Sequence, residues 1–186
     1  MRALLNNFDP YKQVYNRLLS LMLTGHDTDK IEMIVLGGTR DVYPKSYKIE
    51  FIKWLYDACN HFDEFLEQVE IDFSTPKAPR YTTTEGLSII YPATIEESIT
   101  RNESANNRII WLTIETRPEY VTHENCQLWR ELGVTRMEMG IQTLYNSVHE
   151  KNKRGHDNDA IVKAMHLLRQ YGFKISTHFM PGLYWS

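Results

Sequence analysis

The residues best suited to chemistry stand where short apolar runs give way to polar ones. Four such edges are readable: Gly37-Gly38-Thr39, Glu115-Thr116-Arg117-Pro118, Gly140-Ile141-Gln142-Thr143 and His178-Phe179-Met180-Pro181-Gly182. Paired glycines let the backbone approach a ligand amine or carboxylate, and equally allow a plain turn with positive φ. Glu115 ends an apolar run, so it is either a partly buried carboxylate paired with Arg117 or a ligand contact. Gln142 carries an amide donor and acceptor, for a ligand or for its own strand neighbours. His178 reads as a satisfied core histidine or, with Glu115, as an acid–base pair. Pro181-Gly182 has the form of a turn.

Elsewhere, His149, Lys151, Lys153, Arg154 and His156 make a local basic stretch. A solvated loop is the default reading, and a phosphate contact the alternative. Lys30 precedes the first apolar run and by itself is ordinary surface. Zinc-type HExxH spacing, a GxSxG elbow and a Walker A loop are all missing from the sequence. Cys59 and Cys126 lie far apart and form neither a disulfide framework nor a CxxC pair.

The elements that must position these edges alternate. Asp9-Pro10 opens a helix, with Asp as cap and Pro at the first helical position. Val14, Tyr15, Leu18, Leu19 and Met22 fall on one face, and Gly25 ends it. Ile31 to Leu36 is a strand. Pro44 begins a second helix, with Phe51, Ile52, Leu55, Tyr56 and Cys59 inward. The segment Asp63 to Pro92 is less regular and reads as an insertion or long excursion. Thr94 and Glu97 have capping-box spacing, predicting a helix from Thr94 to Arg108. Ile109 to Ile114, Arg136 to Ile141 and Lys174 to Met180 are further strands. Between them lie helices capped by Thr122 and Asp157 and closed by Gly133 and Gly172. This order predicts parallel βα units, as an open doubly wound sheet or part of a barrel. In such folds the working residues sit just past the strand C-terminal ends, where the four edges fall.

Composition bounds the function. The 186 residues suffice for one domain with a real core. Hydrophobic residues at 42% and charged residues at 24% are globular values, excluding disordered and collagen-like classes. The net charge of −3 argues against gripping nucleic acid by bulk charge. No apolar run is long enough to span a membrane and no signal peptide is visible. With so few cysteines, the expectation is a reduced, cytoplasmic protein with no membrane association.

Five runs then coincide in order: Lys30 to Thr39, Leu112 to Tyr120, Gly133 to Thr143, Arg154-Gly155-His156, and His178 to Leu183. Together they resemble the Elongator complex protein 3 family, the catalytic subunit of Elongator with its bacterial and archaeal single-chain relatives. The likeness extends from Asp9-Pro10 to Leu183.

The resemblance implies an α/β fold, a partial (βα) TIM-like barrel of the radical S-adenosylmethionine (SAM) type, truncated at both ends. Residues 1–186 would form a partial radical SAM core, with 63–92 an irregular excursion. The implied activity is carboxymethylation at C5 of the tRNA wobble uridine, with acetyl-CoA as substrate. In the family a reduced 4Fe-4S cluster cleaves SAM to a 5′-deoxyadenosyl radical. That radical takes hydrogen from the acetyl methyl, and the carbon radical adds to the uridine. By matched position, Gly37, Gly38 and Thr39 correspond to the SAM-amine motif. Glu115, Gln142 and Met180-Pro181-Gly182 correspond to rim motifs facing SAM, and Lys30 to a lysine associated with acetyl-CoA. The basic run ending at His156 would be a tRNA or rim element. Implied partners are tRNA and, further, other Elongator-type subunits or a second copy.

The sequence also departs from the family. The three cluster cysteines belong to a segment before the matched region, and Cys59 and Cys126, on predicted helices, cannot replace them. A family cysteine is replaced by Val121, and a family glycine by Trp111. After Leu183 the family continues Pro-Gly, where this sequence has Tyr184-Trp185-Ser186. The cluster-binding segment and the C-terminal acetyltransferase domain are expected to be absent, with no metal site in what remains. This chain alone is then not expected to perform the family reaction. The alternative is a non-catalytic tRNA- or partner-binding remnant.

Overall fold

The computed structural model describes residues 2–36, 42–72, 80–83 and 94–185. The chain forms two compact units, Met1–Ile31 with Ile49–Ile110, and Glu32–Lys48 with Trp111–Ser186.

The first unit holds α1 (Arg2–Leu5), α2 (Pro10–Leu23), most of α3 (Lys45–Asn60), α4 (Phe62–Glu67), an antiparallel pair β2 (Val69–Asp72) and β3 (Arg80–Thr83), and α5 (Ile95–Asn102). Helix α2 begins as predicted, the Asp9 carboxylate accepting from the Lys12 amide at 3.1 Å. Val14, Tyr15, Leu18 and Leu19 are buried along it. The Tyr15 ring stacks on Phe65 with centroids 4.2 Å apart, an aromatic core contact. Asp57 is fully buried. It is matched by Lys53 Nζ at 2.7 Å and by the Ser98 hydroxyl, which donates to it at 2.6 Å. Within the segment predicted to be irregular, α4 and the β2–β3 pair are regular; residues 73–79 and 84–93 lie outside the described residues.

The Thr94–Glu97 capping box is present, but α5 stops at Asn102 rather than at Arg108. The Asn102 side chain explains the early end. Its Nδ2 donates to the Asn107 carbonyl at 3.2 Å and its Oδ1 accepts from the Ile109 amide at 2.8 Å. An asparagine that bonds nearby backbone in this way competes with helix propagation.

The strands β1 (Lys30–Val35), β4 (Arg108–Thr116), β5 (Arg136–Gln142) and β6 (Lys174–Phe179) form a sheet in the order β1-β4-β5-β6. In the second unit, α6 (His123–Glu131) connects β4 to β5, and α7 (Asn146–Lys151) and α8 (Asn158–Gln170) connect β5 to β6. Parallel strands need such crossovers. The Thr122 and Asp157 side chains cap α6 and α8 as predicted, and Gly133 and Gly172 adopt φ of +77° and +73° just past the helix ends.

Register fixes what shares a face. Strand β5 pairs with β4 from Thr113↔Arg136 to Thr116↔Met139, and with β6 from Arg136↔Lys174 to Gly140↔His178. Leu112 and Ile114 of β4 and Met137 and Met139 of β5 are buried on one side. Alternation puts Thr113, Glu115, Arg136, Glu138, Gly140, Ser176 and His178 on the other. Trp111 lies at the base of this polar face, with the Arg136 guanidinium 4.4 Å and Lys174 Nζ 4.1 Å from its ring centroid. Parallel sheets are normally apolar on both faces, so this polar face departs from the rule. No helix among the described residues is long and apolar enough to cross a membrane.

Candidate functional site

Of the predicted site residues, Gly37, Gly38 and Thr39 lie outside the described residues. Lys30 opens β1 and is exposed. The others gather in the second unit, near the C-terminal ends of β4, β5 and β6.

Glu115 lies inside β4 rather than beyond it, half-buried and directly beside Glu138 of β5. Of the two readings open for Glu115, the pair with Arg117 is not formed. Arg117 Nη2 pairs instead with Glu119 Oε1. The cause is local: Glu115 still follows strand alternation, while a 3₁₀ turn over Pro118–Tyr120 brings Glu119 to Arg117.

Gln142 holds the end of β5 in an unusual state. Its φ is +67°, in the left-handed region that glutamine rarely visits. Its carbonyl accepts from the Met180 amide at 2.9 Å, and the Thr143 amide donates to the Ile141 carbonyl at 2.8 Å. These bonds over-determine the turn and join the ends of β5 and β6. Its side chain lies over Gly140, where an added Cβ would come within 2.7 Å of Gln142 Nε2. Gln142 Oε1 is buried with no hydrogen-bond partner among the described residues. A buried acceptor without a donor is costly. Met180, Pro181 and Gly182 are exposed, and Gly182 has φ +81°, so the predicted turn is present at the rim.

His178 is neither a core residue nor paired with Glu115. Its side chain is 40% exposed, and Nε2 stands 3.1 Å from Glu138 Oε2.

The basic stretch is only in part a solvated loop, with Lys153 exposed in a turn. His149 and Lys151 belong to α7, and His149 is buried. The His156 side chain is fully buried and its Nδ1 contacts Glu119 Oε2 at 2.9 Å. The two imidazoles meet at 4.9 Å between centroids, tilted by 62°. Beside them lies a cavity of about 400 Å³ lined by Asn146, His149, Glu150, Arg154, His156 and Asp157. Burial holds His149 below the ordinary imidazole value, and the neighbouring His156 and Arg154 act in the same direction. Arg154 is lowered by burial and by Arg117, with Glu119 opposing.

Sequence reasoning passed over Glu119 and Glu138. A glutamate inside an otherwise apolar strand was a usable signal for Glu138. Glu119 had none, because its partner lies 37 residues away.

Parallel βα units with a polar sheet face define an α/β protein of the kind whose working residues lie at the C-terminal ends of its strands. The chain belongs to the Radical SAM superfamily, whose model matches residues 6–184. It is 37% identical to the tRNA uridine(34) acetyltransferase of Methanocaldococcus jannaschii over 183 residues, 98% of this chain and 29% of that protein. To Elongator complex protein 3 of Danio rerio it is 32% identical, again over 98% of this chain and 28% of the relative. The solved structure of the archaeal Methanocaldococcus infernus Elp3 with N-terminus deletion (1-46) superposes with a TM-score of 0.82 at 35% identity, covering 99% of this chain and 37% of that one. The resemblance read from the five runs and the α/β fold of the radical SAM type both hold. The chain spans less than a third of these curated relatives.

The superfamily implies SAM and a 4Fe-4S cluster. The polar face with its orphaned Gln142 oxygen fits a hydroxyl- and amine-bearing molecule such as SAM. The cluster does not fit the residues present. It is held by several thiolates, and the sequence has two cysteines, one in each unit and both buried. Burial pushes the Cys59 thiol far up, and that of Cys126 up to about 11. Among the described residues no group of three His, Cys, Asp or Glu side chains is placed to hold a metal ion.

Proposed function

We propose that this chain is the rim-bearing part of a radical SAM domain whose whole protein modifies C5 of the tRNA wobble uridine, with SAM as cofactor and acetyl-CoA as substrate. The carrying observation is the match, over 98% of the chain at 37% identity, to a protein named tRNA uridine(34) acetyltransferase. Glu115, Gln142 and the Met180-Pro181-Gly182 turn would hold SAM, with Gly37, Gly38 and Thr39 completing the site. SAM supplies the adenosyl group. The protein's own part is to orient it: Gln142 accepts from a ligand donor, Glu115 takes a hydroxyl or amine, and the β5–β6 junction keeps both in place. Lys30 would contact acetyl-CoA, and the Arg154-Gly155-His156 run would approach tRNA. In this reading residues 1–186, with both compact units, belong to one partial radical SAM core domain, acting in the cytoplasm, with Elongator-type subunits or a second copy as further partners.

Nucleoside analysis of tRNA from cells lacking this sequence tests the proposal. Loss of the C5-modified wobble uridine is expected; an unchanged tRNA pool would overturn it.

The second reading is a non-catalytic tRNA- or partner-binding remnant. Salt-dependent binding of tRNA by the isolated chain without SAM, together with an unchanged tRNA pool, would establish that reading instead.

A further inference from the structure

We propose that Arg136, Lys174 and Trp111 form an oxyanion site at the N-terminal end of the sheet, opposite the rim, that takes a phosphate group. Arg136 opens β5 and Lys174 opens β6, and parallel register sets the two directly opposite each other. Like charges placed so repel. Arg136 is half-buried, so water screens the repulsion only in part. Among the described residues the Trp111 ring is the only side-chain partner of either cation. The guanidinium carbon lies 4.4 Å and Lys174 Nζ 4.1 Å from the ring centroid. Such contacts offset part of the repulsion, but the ring brings no negative charge. What it does bring is order. Two long side chains held against one flat ring have already lost rotamer freedom that a ligand would otherwise have to remove.

The surroundings leave the two charges uncompensated. Glu138, next outward on the same face of β5, meets His178 at 3.1 Å rather than Arg136. Thr113, opposite Arg136 on β4, and Ser176, opposite Glu138 on β6, are uncharged. The residues leading into the two strands, 133–135 and 172–173, carry no charge either. An anion between the two heads turns a repulsion into two attractions. A phosphate has the right form: two of its oxygens match the parallel N–H groups of a guanidinium, and another remains for the ammonium. Gln142 ends the same strand, about 20 Å further along it. The site is therefore separate from the strand-end rim and does not rest on the functional reading above.

The test is the indole ¹H–¹⁵N spectrum of the full chain. The sequence has four tryptophans, and the Trp111 signal is identified by its loss in Trp111→Phe. Inorganic phosphate at low ionic strength should shift that signal saturably and leave the other three in place. Chloride at equal ionic strength should not. In Lys174→Gln and in Arg136→Gln, half-saturation should need about tenfold more phosphate, the worth of one charge-assisted contact. The other indole signals report whether each variant is folded. Lys174 is exposed, so its variant keeps the test decisive if Arg136→Gln does not fold. No saturable shift, an equal shift with chloride, or an unchanged titration in Lys174→Gln would overturn the site. Acetate binding as tightly as phosphate would overturn the phosphate class. Dimethyl phosphate separates the two sources of such a group. Binding as tight as that of inorganic phosphate assigns the site to a nucleic-acid backbone, and weaker binding to free phosphate or a phosphate monoester. The tRNA nucleoside measurement can fail while this site stands, and the reverse.

Discussion

Glu119 Oε2 meets His156 Nδ1 at 2.9 Å, while Oε1 of the same carboxylate pairs with Arg117. One glutamate in the turn after β4 thereby fastens the loop between α7 and α8. Gly155 permits this approach, since a Cβ there would lie 2.9 Å from Glu119 Oε1 and 3.0 Å from Arg117 Nη2. Glu119→Ala removes the partner of a buried imidazole and of a half-buried guanidinium. The expected loss is about 2 kcal/mol, read as a lower urea midpoint with an unchanged slope. A midpoint equal to that of the parent chain would mean the contact is energetically idle.

Gly140→Ala acts on the site more than on the fold. Its backbone is ordinary for alanine, but the new methyl displaces the Gln142 amide. Stability should change by less than about 1 kcal/mol. Nucleoside affinity, measured by calorimetry, should fall about tenfold, the worth of one well-made hydrogen bond. Unchanged affinity would remove Gln142 from the site.

His149 makes the fold acid-sensitive. Its folded value is lowered, so below the ordinary value of 6.5 the unfolded chain binds more protons than the native one. Stability is full above that value and is lost as pH falls towards the folded value, by at most about 1.4 kcal/mol per pH unit from this group. His156, Arg154, Glu150, Asp157 and Glu119 surround the site and remain in a His149→Phe variant. Thermal melts across the acid range should show a shallower decline for that variant. Parallel declines would assign the acid loss to other groups.

The two thiols should be inert in the native chain. Both are buried, with Cys59 far above and Cys126 at about 11, so neither supplies thiolate at neutral pH. A thiol-specific dye should label both only after denaturation. Anaerobic treatment with iron and sulfide should give no stable cluster absorbance. A stoichiometric cluster capable of cleaving SAM would overturn the mismatch between this chain and that group.

Asp57→Ala should cost most. It strips a fully buried carboxylate from Lys53 and Ser98 and leaves the lysine facing a void. Breaking a buried pair from one side costs about 3–5 kcal/mol. A midpoint shift smaller than that for Glu119→Ala would mean that the Glu119 contacts, not those of Asp57, hold the chain more firmly.

The sequence by itself determined whatever depends on neighbours along the chain. Caps at Asp9, Thr94, Thr122 and Asp157, glycines after helices, and apolar runs ending in polar edges are local signals with periods of two or 3.6 residues. They were enough for the βα order and for placing Gln142, Glu115 and the Met180-Pro181-Gly182 turn near strand ends. Tertiary structure decided the partners. Arg117 faces Glu119 rather than Glu115 because a 3₁₀ turn intervenes. His149 is buried because a helix, not a loop, follows β5. Glu138 meets His178 only because parallel register sets residues 40 positions apart on one face of adjacent strands. Register is a long-range property, fixed by how the crossover helices pack, and no local period carries it.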